Sequence, residues 1–487
     1  MSQIDNKADK QLVRGVSLKG ATALNMIDMI GVGPFITIPL IVAAMGGPQA
    51  MIGWIIGAII CLCDGLVWAE LGAAMPHAGG SYNYLKEIYG SNGFGKLASF
   101  LFIFQLTFSA PLSMASGCVG LAMYASYIFP GLSTTYFNYD LNLPLPILGS
   151  LEAAITLNNG TFVAIGVVLL AVFMLYRKVA FISKFSQFLW GGVIITVVWI
   201  IVSGITNFDP GLAFNFPPNA FHIDSAFFLG LGSAMLIALY DYWGYYNVNF
   251  FGGEVQNPTR NIPRAIIYSI LAVAGLYIVM NISILGVLPW QEVSETAGSD
   301  ARKYIVSVFM QKIYGTWAGN LVTLLVVWTA FASVFSLLMG YSRVPYAAAV
   351  EGDYFKAFSK VHPKHKIPYL SLLILGGVAI CFCFLKLKDI IAALVVIRLI
   401  VQFLAQTIGV VYFRIKNPNR ERPFRMWLYP LPAVLAFAGF IYVLFSRQNF
   451  QKEIKYAVVL LIVGTAIYMW RAWRKKDWPF VQIANSK

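Results

Sequence analysis

The chain alternates long apolar runs with short polar segments along its whole length. Each run can cross about 30 Å of hydrocarbon, which takes roughly 17 to 25 helical residues. Such runs form backbone hydrogen bonds within themselves as helices, so the pattern predicts an all-α integral membrane protein with twelve transmembrane helices. The predicted spans, numbered one to twelve, cover residues 20–45, 50–75, 97–128, 159–176, 182–206, 223–250, 265–289, 317–342, 368–385, 390–413, 430–446 and 456–473.

Spans one and six are interrupted by residues that disturb a helix. Span one contains Gly31-Val32-Gly33-Pro34, and span six contains ALYDYWGYYNVNFFGG from residue 238. Irregular backbone at membrane depth persists only where it is buried in protein or lines a wet cavity. A half-helix that begins at the first break would direct free N–H groups and about half a positive charge into that cavity, which suits a carboxylate. A kinked but continuous helix with closely packed glycines is the alternative interpretation.

Composition and charge agree with the membrane prediction. Hydrophobic residues make up 59% of the chain and charged residues 11%, against roughly 45 to 50% and 25% in soluble proteins. With twelve spans, 26 of the 35 Lys and Arg lie on the side of the termini, 8 lie opposite, and Arg398 lies within a span. Cytoplasmic loops collect Lys and Arg. The net charge of +14 therefore predicts cytoplasmic termini in a multi-pass protein of the cell membrane, and no nucleic-acid partner.

Residues that would hold a metal or perform catalysis are dispersed. The five cysteines lie in apolar runs, and no HExxH, GxSxG or P-loop motif is present. His362 and His365 are three residues apart without further ligands, which is a weak metal signal. We therefore expect no metal site, no cofactor and no enzyme activity, and we interpret the cysteines as buried apolar residues.

The two interrupted spans also indicate an internal repeat. They occupy equivalent positions if the chain contains two copies of five spans, 20–206 and 223–413, and because five is odd the second copy is inverted. Interrupted segments at corresponding positions of inverted halves point to a transporter binding site near the bilayer midplane. The remaining parts are a cytoplasmic tail at 1–19, helices eleven and twelve at 430–473, and a cytoplasmic tail at 474–487.

Four stretches resemble motifs of the amino acid-polyamine-organocation superfamily. The segment from Asp28 to Phe35 resembles its first-span motif N-x-I-G-S-G-I-F, with Pro34 in place of Ile and Asp28 in place of Asn. Three further stretches are similar to the end of its second span with the following loop, to its sixth span with the following loop, and to its loop after span eight. They are WAELGAAMPHAGGSYNYLKEIYG at 68–90, YDYWGYYNVNFFGGEVQNPTRNIPRAI at 240–266 and SRVPYAAAVEGDYFKAFSKVHPKHKIPYLSLL at 342–373.

The resemblance implies a LeuT-like fold: ten helices in a five-plus-five inverted repeat, with helices one and six discontinuous, and two peripheral C-terminal helices. It implies alternating access, with the substrate carboxylate on backbone N–H groups at the first break and the amine on carbonyls at both breaks. Pro34 has no N–H, so the donors would be those of Val32, Gly33 and Phe35. The implied substrate site consists of Ile30, Gly31, Val32, Gly33, Phe35, Tyr240, Asp241, Tyr242, Trp243 and Gly244, with Tyr240 as the aromatic gate.

Acidic residues within spans are costly and usually mark a functional site or an ion pair. Asp28 and Asp241 lie at the two breaks and are candidates to bind an ammonium group or to carry a coupling proton. Asp64 is a candidate to pair with Arg398. Glu70 and Glu254, near span ends, are candidates for structural pairing with a nearby Lys or Arg. Ser333 and Ser336 in span eight are candidates for a sodium-like site, and helix packing is the alternative.

The sequence thus favours a secondary transporter for amino acids, driven by proton symport or by exchange, in a lipid bilayer. A polyamine transporter of the same fold is the alternative, because a polyamine has no carboxylate and prefers acidic partners such as Asp28 and Asp241. A passive channel is a more distant alternative, since no filter or ring of like charges is evident. The coupling ion stays open between H⁺ and Na⁺, and no partner subunit is indicated.

Overall fold

The computed structural model describes residues 12–145, 149–294, 300–386, 394–447 and 449–480. Most of the predicted N-terminal tail, residues 390–393 of span ten and residues 481–487 of the C-terminal tail lie outside these ranges. The helices of the described chain are α1 (Leu18–Met29), α2 (Gly33–Met45), α3 (Met51–Ala74), α4 (Ser81–Ile88), α5 (Phe94–Ala125), α6 (Asn159–Leu175), α7 (Val179–Thr206), α8 (Pro210–Ala213), α9 (Ser225–Tyr242), α10 (Asn247–Phe250), α11 (Pro258–Leu285), α12 (Trp290–Ser294), α13 (Asp300–Lys303), α14 (Ile305–Tyr314), α15 (Thr316–Val350), α16 (Tyr369–Phe382), α17 (Leu394–Lys416), α18 (Leu431–Phe445) and α19 (Phe450–Lys475).

Eight helices of the described chain are long and apolar enough to cross a membrane, and α1 with α2 makes a ninth, bent span. Three further predicted spans correspond to the shorter apolar helices α6, α16 and α18. These helices have 17, 14 and 15 residues, which at 1.5 Å per residue is about 21 to 26 Å. The molecule is therefore a mostly helical membrane protein with eight or nine candidate spans, and the count of twelve stays a prediction.

The first span is broken, as its glycines indicate. Ser17 caps α1 by accepting the N–H of Gly20 at 3.2 Å, and α1 ends at Met29. The chain then turns through residues 30–32 and starts α2 with Pro34 in its first turn, at 46° to α1. Proline suits this position because its fixed φ is helical and its missing N–H would have no partner there. The continuous, kinked helix is thereby excluded.

The sixth span is broken as well. Helix α9 ends at Tyr242, residues 243–246 form a turn, and the short α10 follows. Gly244 in this turn has a φ of +131°, and a Cβ there would lie 2.9 Å from the backbone N of Met29. Only glycine combines that backbone conformation with such a close approach. The two breaks therefore pack directly against each other.

The all-α prediction is wrong in one region. Segment 129–158, between predicted spans three and four, contains the antiparallel strands β1 (Thr135–Leu145) and β2 (Gly149–Asn158), and β3 (Leu385–Lys386) pairs with β2. Tyr139 pairs with Ile155 in the register. The sequence signal was the alternation of Phe, Tyr and Leu with Asn and Asp at 137–143, which has the period of two expected of a strand.

Candidate substrate site at the two helix breaks

A cavity of about 230 Å³ lies between the two breaks. Segments 28–37 and 240–246 form part of its wall, and the long helices α5 and α15 and the start of α17 form the rest. Most of the residues predicted to form the substrate or coupling site line this cavity: Asp28, Gly31, Val32, Gly33, Tyr240, Asp241, Trp243, Gly244 and Ser333. The two sequence interruptions, 210 residues apart in the chain, thus come together in one site.

Four predicted residues are not among those lining the cavity. Ile30, Phe35 and Tyr242 are buried in the surrounding core, where the Tyr242 ring packs edge-on against Trp54 with centroids 5.5 Å apart. Ser336 is buried and donates a hydrogen bond to the carbonyl of Leu24 at 2.7 Å. These buried side chains pack around the breaks. The sequence alone did not distinguish them from the neighbouring residues that line the cavity.

The backbone at the first break offers fewer free donors than the sequence predicts. The N–H of Gly31 bonds to the carbonyl of Met29 at 3.1 Å, and the N–H of Phe35 bonds to that of Val32 at 3.2 Å. Within the described chain, the N–H groups of Val32 and Gly33 have no backbone acceptor. These two groups, at the positive end of α2, are the available donors for an anion.

Asp241 places a carboxylate on the first turn of α2. Thr37, one turn into α2, donates a hydrogen bond to Oδ2 of Asp241. The other oxygen, Oδ1, is buried and has no hydrogen-bond partner in the described structure. A Cβ added at Gly33 would lie 2.5 Å from this Oδ1. The protein thus brings its own carboxylate beside the N–H groups that would bind a substrate carboxylate.

Asp28 enters the same cavity from the end of α1. Its side chain is 8% exposed. Its backbone carbonyl accepts a hydrogen bond from Ser333 of α15 at 3.2 Å, and Thr329, one turn earlier, donates to the carbonyl of Gly31 at 3.4 Å. Hydroxyl groups of α15 therefore satisfy carbonyls freed by the break. Together, Asp28 and Asp241 give the cavity two carboxylates.

Tyr240 and Trp243 cover one end of the cavity. Their rings lie 5.7 Å apart, and Tyr240 is 43% exposed although it lies in a spanning helix. A smaller adjoining cavity is lined by Tyr240, Leu394 and Arg398, among others. Tyr240 therefore lies in the wall of both cavities, and its role as a gate stays a prediction.

Arg398 faces the cavity, and the structure does not bring it together with Asp64. Its guanidinium lies 5.7 Å from the centre of the Trp243 ring, immediately before a π-helical turn at Leu399–Leu404. Turns of π-helix are rare in proteins, and those that do occur are often found at functional sites. Asp64 lies elsewhere and accepts a hydrogen bond from Tyr245 at 2.6 Å. The cavity is therefore lined by a buried cation, Arg398, in addition to Asp28 and Asp241. The sequence did not predict that Arg398 would lie in this cavity.

The end of the site nearest the N-terminal residues is closed by packed rings and ion pairs. Trp68 stacks on Tyr246 with centroids 4.8 Å apart. Beyond them, Glu254 accepts two hydrogen bonds from Arg343 at 2.9 and 3.2 Å, with both side chains buried. Glu70 likewise accepts a hydrogen bond from Arg414 at 2.7 Å. The structure therefore brings Glu70 and Glu254 together with arginines, as the sequence suggested.

Some residues that line the cavity were missed from the sequence: Ser113, Ser116, Thr37, Tyr246 and Tyr341. Small hydroxyl residues are common at helix contacts in membranes, so Ser113 and Ser116 of α5 carried no distinctive signal. The sequence showed that Arg398 lies within a span. It could not show that Arg398 lines this cavity, because that depends on how the helices pack. No group of three or more His, Cys, Asp or Glu that could hold a metal occurs in the described part of the chain.

The chain is similar to known amino acid transport proteins over most of its length. Residues 16–468 match the amino acid permease family. The chain is 26% identical to the branched-chain amino acid permease BcaP of Bacillus subtilis, with 94% of this chain and 93% of that protein covered. It is 25% identical to the serine/threonine exchanger SteT of the same organism (90% and 92% covered) and 25% identical to the human cystine/glutamate transporter (96% and 87% covered). The family match spans nearly the whole chain and both helix breaks, and the protein belongs to the amino acid permease family.

Proposed function

We propose that this amino acid transporter binds its substrate between the two helix breaks and couples binding to a proton on Asp241. The observation that carries the proposal is the position of the Asp241 carboxylate against Gly33 and Thr37, at the start of α2. The proposal includes twelve spans in two inverted repeats of five, with two additional C-terminal helices. Both termini are cytoplasmic in this arrangement, because the side that carries them is rich in Lys and Arg.

The substrate carboxylate occupies the positive end of α2 in this proposal. The N–H groups of Val32 and Gly33 are its donors, since those of Gly31 and Phe35 already have acceptors. The substrate ammonium group lies toward Asp28, which is one of the residues that line the same cavity. The side chain extends toward Ser113, Ser116 and Arg398. The named relatives carry branched-chain, hydroxylated and acidic or sulfur-containing amino acids, so the substrate is assigned as an amino acid without a specific side chain.

The proton on Asp241 decides whether the substrate carboxylate can bind. Two carboxylates about 4 Å apart repel each other by about 4 kcal/mol at an effective dielectric constant of about 20. That energy corresponds to about a thousandfold in affinity. A protonated Asp241 removes the repulsion and can still hydrogen-bond to Thr37. Substrate and proton therefore bind together and leave together, which is the requirement for symport.

Alternating access follows from the unequal closure of the two ends. The end near the N-terminal residues is closed by Trp68, Tyr246 and the pair Glu254–Arg343. The opposite end is covered by the half-exposed Tyr240. In the proposed cycle the substrate enters past Tyr240, and its release to the other side requires the packed rings and ion pairs to separate.

A polyamine is the second candidate substrate. The observation in its favour is the pair of carboxylates, Asp28 and Asp241, in one cavity, since each can bind an ammonium group. Arg398 in the same cavity opposes it, because a guanidinium repels a polycation. The amino acid is therefore preferred.

Transport by the purified protein in proteoliposomes tests the proposal. Radiolabelled amino acids should enter saturably, accumulate when the outside is made acidic, and exchange with unlabelled amino acid loaded inside. Uptake that rises linearly with concentration and shows no exchange would identify a channel. Accumulation of putrescine or spermidine in place of amino acids would identify the polyamine transporter, and dependence on Na⁺ without dependence on pH would exclude the proton.

A further inference from the structure

The turn between α6 and α7 contacts the turn at 362–367 outside the substrate site. A cluster of cationic and aromatic side chains lies at this contact: Tyr176, Arg177, Lys178, His362, Lys364 and His365. The ring of Tyr176 lies 5.3 Å from that of His362 and 6.0 Å from that of His365, and the two histidine rings are 4.6 Å apart. The turn is held by the N–H of His362 on the carbonyl of Ile367 at 2.8 Å, and by that of Lys366 on the carbonyl of His362 at 2.9 Å. The cluster is therefore an ordered contact between two segments.

The charges of this cluster are all of one sign. Partial desolvation of His365 lowers the pKa of its imidazole, and the neighbouring His362, Lys364, Arg177 and Lys178 lower that pKa further. In the described part of the chain, three carboxylates on this side bond to cations outside the cluster, in the pairs Glu254–Arg343, Glu70–Arg414 and Asp353–Lys86. The cluster thus concentrates positive charge that the described chain does not neutralise with a carboxylate.

The cluster also lies at the edge of the apolar surface. The guanidinium of Arg177 is 4.5 Å above the ring of Phe173, which is 54% exposed in the last turns of α6. Phe181 at the start of α7 is 43% exposed, and Leu373 near the start of α16 is 44% exposed. Gly15, near the N-terminal end of α1, packs on Val179, so this is the side of the membrane that carries the N-terminal residues. The cations of the cluster therefore lie beside exposed apolar side chains at the ends of apolar helices, which is where lipid headgroups meet a membrane protein.

We propose that Arg177, Lys178 and Lys364 bind the phosphate group of an anionic phospholipid, with its acyl chains along Phe173 and Phe181. Basic pockets between transmembrane helices on the cytoplasmic side bind anionic headgroups by this chemistry. A bound phosphate neutralises the mutual repulsion of the cluster and connects α6 and α7 to the loop before α16. The site is separate from the substrate cavity, so the proposal stands whether or not the proposed proton coupling is correct.

Native mass spectrometry of the purified protein in detergent tests this site. The protein is titrated with phosphatidylglycerol or with phosphatidylcholine, and the dissociation constant of the first lipid adduct is measured. Each basic residue near the membrane surface contributes about fivefold in affinity for an anionic lipid. We expect Lys364→Gln to weaken phosphatidylglycerol binding about fivefold and Arg177→Gln/Lys364→Gln about 25-fold, with phosphatidylcholine binding unchanged. Lys364 is exposed and lies in a turn, so the single variant tests the site even if the double variant does not fold.

Lys416→Gln is the matched control, because Lys416 is an exposed cation at the end of α17, outside the cluster. It should bind phosphatidylglycerol within twofold of the wild type. Equal losses in Lys416→Gln and Lys364→Gln, or no loss in Lys364→Gln, would overturn the proposal. So would equal affinity of the wild type for both lipids. Inorganic phosphate that displaces phosphatidylglycerol at millimolar concentration would show a site for a free anion and not for a lipid.

Discussion

At the scale of single residues, the proposed mechanism has Asp241 and the substrate carboxylate compete for one helix end. Asp241 reaches Thr37 and approaches Gly33 from the second break. The sequence predicted that the N–H groups at 31–35 would face a polar cavity, because the glycines and Pro34 interrupt an apolar run. It named the N–H groups of Val32, Gly33 and Phe35 as the donors, and Phe35 was wrong, because its N–H bonds to the carbonyl of Val32.

The first prediction concerns the pH dependence of substrate binding. Wild-type affinity for an amino acid should fall as the pH rises, because an ionised Asp241 repels the substrate carboxylate. Asp241→Asn should bind substrate with an affinity that changes less than about threefold from pH 5 to pH 8, because Asn carries no charge. Equilibrium binding of radiolabelled substrate to the purified protein measures both profiles.

Asp64→Asn is the control for this experiment. Asp64 is another buried intramembrane acid, but it bonds to Tyr245 away from the cavity lining, so its variant should keep the wild-type profile. Parallel profiles for wild type and Asp241→Asn would show that Asp241 does not govern binding. Asp28→Asn is a second informative variant, because loss of that carboxylate should weaken amino acid binding by removing a partner of the ammonium group.

The second prediction concerns the close contact at Gly33. A methyl group there would lie 2.5 Å from Oδ1 of Asp241, so Gly33→Ala must displace the carboxylate or the start of α2. Transport should fall at least tenfold while the protein still folds. Gly275→Ala in α11 is the matched control: no atom lies within 4 Å of that Cβ, and alanine is about 1 kcal/mol more favourable in a helix. Normal transport by Gly33→Ala would contradict the described geometry of the site.

At the scale of the elements, the two broken helices were predictable and the small sheet was not predicted. Breaks in helices require Gly, Pro or polar residues within apolar runs, and these are visible at 31–34 and 241–247. The β1–β2 hairpin lies between predicted spans three and four, in a segment for which no strand was predicted. Its alternation of apolar and polar residues is typical of a strand, but its pairing with β3 joins residues about 230 positions apart and depends on the fold.

The third prediction concerns the buried pair that joins the segment after α10 to α15. Arg343 and Glu254 are 1% and 0% exposed and bond at two positions. Removal of one partner of such a pair costs about 3 to 5 kcal/mol, because the other charge stays buried and unpaired. Arg343→Met should therefore lower the melting temperature strongly, and Glu254→Gln/Arg343→Met should recover much of the loss.

Lys416→Met at an exposed cation is the control, and it should change stability by less than about 0.5 kcal/mol. Thermal unfolding in detergent compares the four proteins. Equal melting temperatures for Arg343→Met and Lys416→Met would mean that the pair does not stabilise the fold.

The fourth prediction concerns the acid stability of the loop that follows α15. Burial acts to raise the pKa of Asp353, but hydrogen bonds and charge from Lys86, Tyr82 and Arg471 hold that pKa below its usual range. A carboxyl group with a depressed pKa contributes stability above its unfolded pKa of about 3.9, and the contribution is lost as the pH falls through the lower folded value. The loop is therefore least stable in acid.

Asp353→Asn should lower the melting temperature at pH 6 and lose less stability than the wild type between pH 5 and pH 3. Asp140→Asn on the exposed hairpin is the control, and it should follow the wild type throughout. The same acid loss in Asp353→Asn as in the wild type would show that this ion pair does not contribute to stability.

At the scale of the whole molecule, the closed end and the covered end of the cavity define the proposed transport cycle. Release of substrate on the closed side requires separation of Trp68 from Tyr246, and of the segments that Glu254–Arg343 and Glu70–Arg414 connect. The sequence predicted the membrane character, the long spans and the family, because these depend on apolar run lengths and local motifs. It did not predict how Arg398 and Asp64 are placed, because the two lie on different helices whose relative rotation depends on packing.

The most direct test of the account is amino acid transport by Asp241→Asn in proteoliposomes, measured with and without a pH gradient. The wild type should accumulate amino acid when the outside is acidic, and it should also exchange external for internal amino acid without a gradient. Asp241→Asn should retain exchange at a comparable rate and lose the accumulation, since substrate binding persists while the coupled proton is absent. Accumulation by Asp241→Asn at the wild-type level under the same gradient would contradict the account.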